Sequence, residues 1–305
     1  MKGQVLVLAA IAALATATPA FSQYYQKTTY MSYDSQTGQY DLPMNIWYAL
    51  PNPTAFGPGP YPVFMWTPAT FEPFNDSMSL VFATEMSLRG FIGATVQYGN
   101  LEPVESCQVY QTRTQAVYDA TRATSAVSVL CNLPQASCTT GITTAGTSEG
   151  GAMAIMAKNF APNVKATFAM SISDYEQDTG LTMALCLAKP MTAIPANRLM
   201  IVDGANDQVF GVGAWLQATS GVYCLAGAQY CFSSDGSGAG WYIVQPWETV
   251  GGNPDHCYYL KGGCGNTSYE PNWVVPSQYQ WSLAPNLDWL ASFGTYRHVV
   301  SAIGR

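Results

Sequence analysis

Short apolar stretches alternate along this chain with segments whose apolar positions recur every three or four residues, the periodicities of buried strands and one-sided helices. Residues 28–33 and 44–50 read as two strands that open the fold as a hairpin, because the proline- and glycine-rich 51–60 cannot carry a ladder onward. Further strands are predicted at 61–66, 91–98, 142–145, 164–172, 198–202 and 241–245, and helices at 77–88, 151–158, 213–219 and 285–293. Over 111–131, Ala116, Ala120, Ala123, Val127 and Leu130 fall at spacings of three and four, which predicts one helix with a single apolar stripe. Apolar strands alternating with helices imply an α/β fold, with a mainly parallel central sheet and helices on both faces. In such sheets ligands gather beyond the carboxyl ends of the strands, so chemistry is sought in the loops that follow them.

The N-terminal segment changes the picture of where the chain works. Residues 1–22 carry one positive charge at Lys2, an apolar run from Val5 to Ala15 and small residues around Ala20 and Ser22, the pattern of a secretory signal peptide. That run is shorter than the ~20 residues a membrane-spanning helix needs, and no second stretch of spanning length follows. Residues 23–305 are then expected to form one domain, with 11 Lys and Arg against 19 Asp and Glu. An acidic chain without a basic run has no electrostatic basis for binding nucleic acid or an anionic membrane surface.

Eight cysteines, an even number in an exported chain, point to disulfides rather than metal ligands. Three pairs share one spacing, Cys131 with Cys138, Cys224 with Cys231 and Cys257 with Cys264, which leaves Cys107 for Cys186. Asn75 and Asn266 head acceptor triplets for N-glycosylation, whereas Asn52 is excluded by Pro53. No cysteine or histidine cluster has metal spacing and no glycine-rich phosphate loop is present in the sequence, so no cofactor is implied.

The candidate chemistry centres on Gly146-Thr147-Ser148-Glu149-Gly150. A β-branched run precedes this pentapeptide and a small-residue helical segment follows it, so Ser148 is expected on a sharp strand-to-helix turn. The flanking glycines suit a turn in which a Cβ would collide with the neighbouring backbone. Glu149 opens the helix, and its backbone NH is a candidate oxyanion donor. A serine hydroxyl is a weak nucleophile until a base takes its proton. Of the two histidines, His256 lies in a loop after the strand at 241–245, whereas His298 lies beyond the last helix and reads as a tail residue. Asp207 stands in the loop after the strand at 198–202 and is the preferred acid. Asp203, directly at that strand's end, is the alternative, and Asp255 beside the histidine reads as a loop group.

Serine, aspartate and histidine in this order, each after a strand, resemble the α/β-hydrolase superfamily over nearly the whole of 23–305. The most specific part is the elbow together with Gly204-Ala205-Asn206-Asp207-Gln208-Val209, which looks like that superfamily's acid loop. The resemblance implies attack of the serine on an acyl carbonyl and hydrolysis of an acyl-enzyme. It also implies a second oxyanion donor in the loop after the strand at 61–66. Here the chain reads Thr67-Pro68-Ala69-Thr70 and departs from the usual His-Gly pattern; Pro68 has no NH, leaving Thr70 first and Ala69 second. The Pro-Ala-Thr run faintly resembles the donor loop of secreted, lidless esterases. The interval 172–195 is too short for a large helical lid. A secreted serine carboxylesterase acting on an ester, small or polymeric, is the expected function; a peptidase or lactone hydrolase, or a non-catalytic secreted binding protein with this fold, are the alternatives. The sequence carries no sign of an oligomeric state.

Overall fold

The computed structural model describes residues 25–102, 106–177, 181–274 and 279–294. In chain order its elements are β1 (Gln26–Asp34), β2 (Gln39–Ala49), α1 (Pro53–Phe56), β3 (Val63–Thr67), α2 (Ser77–Ser87), β4 (Ile92–Val96), α3 (Cys107–Tyr118), α4 (Ala126–Cys131), β5 (Ile142–Thr147) and α5 (Glu149–Phe160). They continue with β6 (Val164–Met170), the two-residue strands β7 (Tyr175–Glu176) and β8 (Leu181–Thr182), β9 (Leu199–Gly204), α6 (Ala214–Ser220), β10 (Tyr230–Phe232), β11 (Gly240–Val244), α7 (Pro271–Val274) and α8 (Leu283–Ala291). One sheet holds nine strands in the order β1-β2-β4-β3-β5-β6-β9-β11-β10. Its six central strands, β4 to β11, run parallel, while β1, β2 and β10 are antiparallel at the edges. The predicted α/β class and parallel sheet are therefore present. The ribbon of β7 with β8 and the edge strand β10 were not legible, because two or three residues carry no measurable period.

Every residue of β3, β4 and β5 is buried, as expected of parallel strands covered on both faces. The pleat divides β3 between two cores: Val63 and Met65 join the cluster with Val117, Ile155 and Met156, whereas Phe64 and Trp66 join the cluster with Phe82 and Leu287. Trp66 stacks on Phe82 at 3.8 Å between ring centres and donates its Nε1–H to Ser79 Oγ at 3.0 Å. Each such side chain, once buried, contributes about 1.5–3 kcal/mol from apolar area alone. Asp76 starts α2 by accepting the Ser79 amide at 2.7 Å.

One helix expectation is corrected. The stretch 111–131 is two helices, α3 and α4, and Ala120 and Ala123 of the supposed stripe are exposed. Asp119 breaks the run by taking the Thr121 amide (2.9 Å) and hydroxyl (2.6 Å) into an Asx turn, and Ser125 then caps α4. Spacing alone cannot reveal this competition between side chain and helix backbone.

The four disulfides join Cys131 to Cys138, Cys224 to Cys231, Cys257 to Cys264 and Cys107 to Cys186, the pairing read from the spacing. No α-helix occurs among the described residues of 172–195. Among the described residues no helix is long and apolar enough to cross a membrane. The segment 1–22 and His298 lie outside the described residues.

Candidate active site

Ser148 joins β5 to α5 with φ 53° and ψ −123°, a conformation that ordinary residues avoid. Neighbouring backbone enforces the turn. A Cβ on Gly146 would lie 2.3 Å from the Gly150 carbonyl oxygen, and one on Gly150 would lie 2.1 Å from the Thr67 oxygen. Only glycine fits at either position, so the hydroxyl is held half-exposed at the carboxyl edge of the sheet.

Two strands away, the loop after β9 carries Asp207, buried to 2%. Its Oδ1 accepts the amides of Val209 (2.6 Å) and Phe210 (3.1 Å), and its Oδ2 meets His256 Nδ1 at 2.8 Å. With Nδ1 engaged by a carboxylate, Nε2 is the ring nitrogen left for a proton from elsewhere. Burial pushes the Asp207 carboxyl up, but the hydrogen bond and charge of His256, a hydrogen bond from Asp203 and the Phe210 amide outweigh it and hold the group below its ordinary value.

The acid and base loops meet through backbone. Asn206 donates its amide to the Pro254 carbonyl at 2.9 Å, and a Cβ on Gly204 would lie 2.2 Å from that same oxygen. Gly204 thus admits the base loop against the acid loop, a role invisible in the sequence. Asp255 accepts the amides of Cys257 (2.8 Å) and Cys264 (3.0 Å), so it organises the loop closed by their disulfide, as expected of a loop group. Asp203 is fully buried, with Oδ1 on the Gly204 amide at 2.7 Å and no donor to Oδ2. Burial first and the Asp207 charge second push its carboxyl well above the ordinary value. Of the two aspartates, it is Asp207 whose carboxylate meets the His256 ring.

Phe210, whose amide is held by Asp207, packs beside the His256 ring at 5.7 Å between ring centres. Ser148 follows β5 and His256 lies in the loop after β11, so both are carried at the carboxyl ends of strands of one parallel sheet, and no hydrogen bond joins the Ser148 hydroxyl to the His256 ring.

On the other side of Ser148 lies the loop 67–76. The Ala69 amide donates to Glu72 Oε2 at 2.9 Å, whereas the Thr70 amide has no acceptor among the described residues. Burial, followed by the Asp76 charge, raises the Glu72 carboxyl to about 7. Glu149, at the first helical position, has no preceding turn to take its NH. Its buried carboxylate accepts the Thr70 hydroxyl at 2.8 Å and pairs with the Arg113 guanidinium. One side chain therefore ties the two candidate donors together. Tyr98 donates to the Pro68 carbonyl (2.6 Å), and Asn100 Nδ2 donates to the carbonyls of Ala69 (2.6 Å) and Glu72 (2.8 Å). Sequence reasoning missed Arg113 and Asn100, for which no local signal exists. Trp241, Tyr258 and Trp273 are wholly buried core residues.

No family model matches the chain, and no curated protein matches it. Among solved structures it is similar to 2,6-dihydroxy-pseudo-oxynicotine hydrolase, at 15% identity and TM-score 0.53, over 90% of this chain and 69% of that one. It is also similar to the acylaminoacyl peptidase of Pyrococcus horikoshii (14%, TM-score 0.49, 78% of this chain and 38% of that one). A lidless α/β serine hydrolase of Xanthomonas campestris matches at 15% identity and TM-score 0.41, over 65% of this chain and 81% of that one. At such identities the first likeness speaks for the fold: the chain has the α/β-hydrolase fold.

Proposed function

We propose that this α/β-hydrolase-fold chain is a secreted serine hydrolase of carboxylic esters, its residues 23–305 forming one catalytic unit with Ser148 as nucleophile, His256 as general base and Asp207 as the acid that orients it. The observation that carries the reading is the buried Asp207 carboxylate at 2.8 Å from His256 Nδ1, on the sheet edge where the strained turn presents Ser148. As the Ser148 oxygen attacks the acyl carbon, its proton passes to His256 Nε2 and the carbonyl π electrons move onto oxygen. The backbone NH groups of Glu149 and Thr70 meet that oxyanion, each worth about 2.7–4 kcal/mol of barrier. Collapse expels the alkoxide, which takes the proton from His256 and leaves as alcohol. Water then repeats the sequence on the acyl-enzyme, and the acid departs. Secretion is supported by four disulfides, which persist in oxidising compartments.

Replacing Ser148 by alanine is expected to lower turnover of p-nitrophenyl acetate by about 10⁴-fold or more at an unchanged melting temperature. A fluorophosphonate should label the parent protein once, at Ser148. Residual hydrolysis at the parental rate in the variant, or no labelling of the parent, rejects the reading; faster turnover of an amide than of the matched ester would move it toward a peptidase.

A further inference from the structure

The sheet places a second feature beside the loop 67–76, away from the acid and base. A cleft of about 750 Å³ opens between the β1–β2 turn, this loop, the segment after β4 and the start of α3. Its apolar lining includes Leu42, Met44, Phe71, Phe74 and Leu101. Three of these are more exposed than is usual for large apolar side chains: Leu101 is 76% exposed, Phe71 60% and Leu42 36%. Antiparallel pairing of Ile46 with Val96 sends the start of β2 beyond the carboxyl end of β4, so the hairpin turn overhangs the edge that carries Ser148. With β3 between β4 and β5, the cleft begins two strand spacings from the elbow, roughly 10 Å.

Phe71 is held there against a conformational preference. Its φ of 63° is unfavourable for a bulky residue, by about 1–2 kcal/mol. Its amide donates to the Asn100 carbonyl at 2.8 Å, while the Asn100 side chain grips the carbonyls on either side, of Ala69 and Glu72. The strained backbone thus projects an exposed ring next to Thr70, and strain kept at such a position points to use rather than to packing. Charge narrows the class of occupant. Asp34, Glu72 and Glu102 line the cleft with one cation, Arg113, whose charge is already taken by Glu149.

From this juxtaposition we infer that the cleft is a subsite for an apolar or aromatic arm of the ester that carries no negative charge, joined to the scissile carbonyl by an extended linker. The inference rests on the hydrolase reading and deepens it: the substrates would be elongated esters rather than short acyl groups alone. A volume of this size holds a drug-sized group.

The test compares p-nitrophenyl acetate with two neutral esters that carry a phenyl ring roughly 10 Å from the carbonyl carbon, matching the two-strand offset, one on the acyl and one on the alcohol side. The double variant Leu42→Ser/Leu101→Ser changes only exposed side chains. For at least one elongated ester the ratio of its kcat/KM to that of the acetate should fall about tenfold, through KM, and an analogue ending in a carboxylate should show no such preference in the parent. In parallel, calorimetry on Ser148→Ala should detect binding of the same elongated ester, weakened about tenfold by adding the two serines. If neither ratio moves, or the carboxylate analogue is preferred, the subsite is overturned. Retained turnover in Ser148→Ala would instead reject the hydrolase reading, whatever the calorimetry shows.

Discussion

The two sides of Ser148 are built by different means. On the side of β9 and β11, Asp207 spends both oxygens on two amides and one imidazole, glycine lets two loop backbones touch, and a disulfide closes the loop beside His256. On the side of β3 and β4, one buried carboxylate, Glu149, joins a hydroxyl and a guanidinium, one asparagine stitches the loop, and a cleft stays open beyond it. On the proposed function the difference suits the tasks. A base that moves a proton needs its ring fixed in one tautomer, whereas the side that receives the substrate needs fixed amides beside room for a group to enter.

The contrast can be broken most severely at the acid. Asp207→Asn keeps the shape but offers the His256 ring a donor in place of an acceptor, so kcat/KM for p-nitrophenyl acetate should drop by about 10⁴-fold with the fold intact. A loss below tenfold would show that the ring does not depend on this oxygen. Next comes the other side: Glu149→Ala strands the Arg113 charge and frees Thr70. Denaturant titration should show a loss of about 3 kcal/mol, and the more conservative Glu149→Gln should retain more of kcat because it still accepts the Thr70 hydroxyl. Equal kcat in the two variants would remove the donor-linking role. The Cys257→Ser/Cys264→Ser double variant opens a short loop and should lower stability by about 2 kcal/mol. It should lower kcat more than it raises KM, since it loosens the base and leaves the cleft alone.

Asp203 is expected to affect activity least and is read through stability. Its folded value is raised, so between its unfolded value near 4 and that raised value the native state holds a proton the unfolded chain lacks, and stability falls as pH rises. Asp207 is shifted the other way, and its stabilisation is present above the ordinary carboxylate range and lost as pH falls through its lowered value. Asp203→Asn should therefore unfold less readily than the parent at pH 8 and lose that advantage toward pH 4. A pH-independent difference between the two would mean that Asp203 is ionised in the fold.

Much of this was open to reading from residue types. Gly146 and Gly150 around Ser148 announce a turn that a Cβ would block, and the clashes of 2.3 and 2.1 Å bear that out. Asp207 and His256 could be chosen because each follows an apolar run, and runs of buried strand residues are visible one at a time. The failed helix at 111–131 shows the limit, since Ala120 and Ala123 have the right spacing and Asp119 overrides it. Phe71 gave no sign of its posture, which depends on Asn100.

Local order along the chain was enough to determine most of the alternation of strand and helix, the turn at Ser148 and three of the four cysteine pairs, because each rests on neighbours a few residues apart or on a repeated spacing; Cys107 and Cys186, 79 residues apart, were paired by elimination. Only the folded sheet decided that Glu72 takes the Ala69 amide, that Glu149 bridges to a residue 79 positions earlier, and that the hairpin extends past the carboxyl end of β4. Those outcomes depend on which strands lie side by side, and strand order is settled by packing both faces of the sheet at once, a condition no single segment contains.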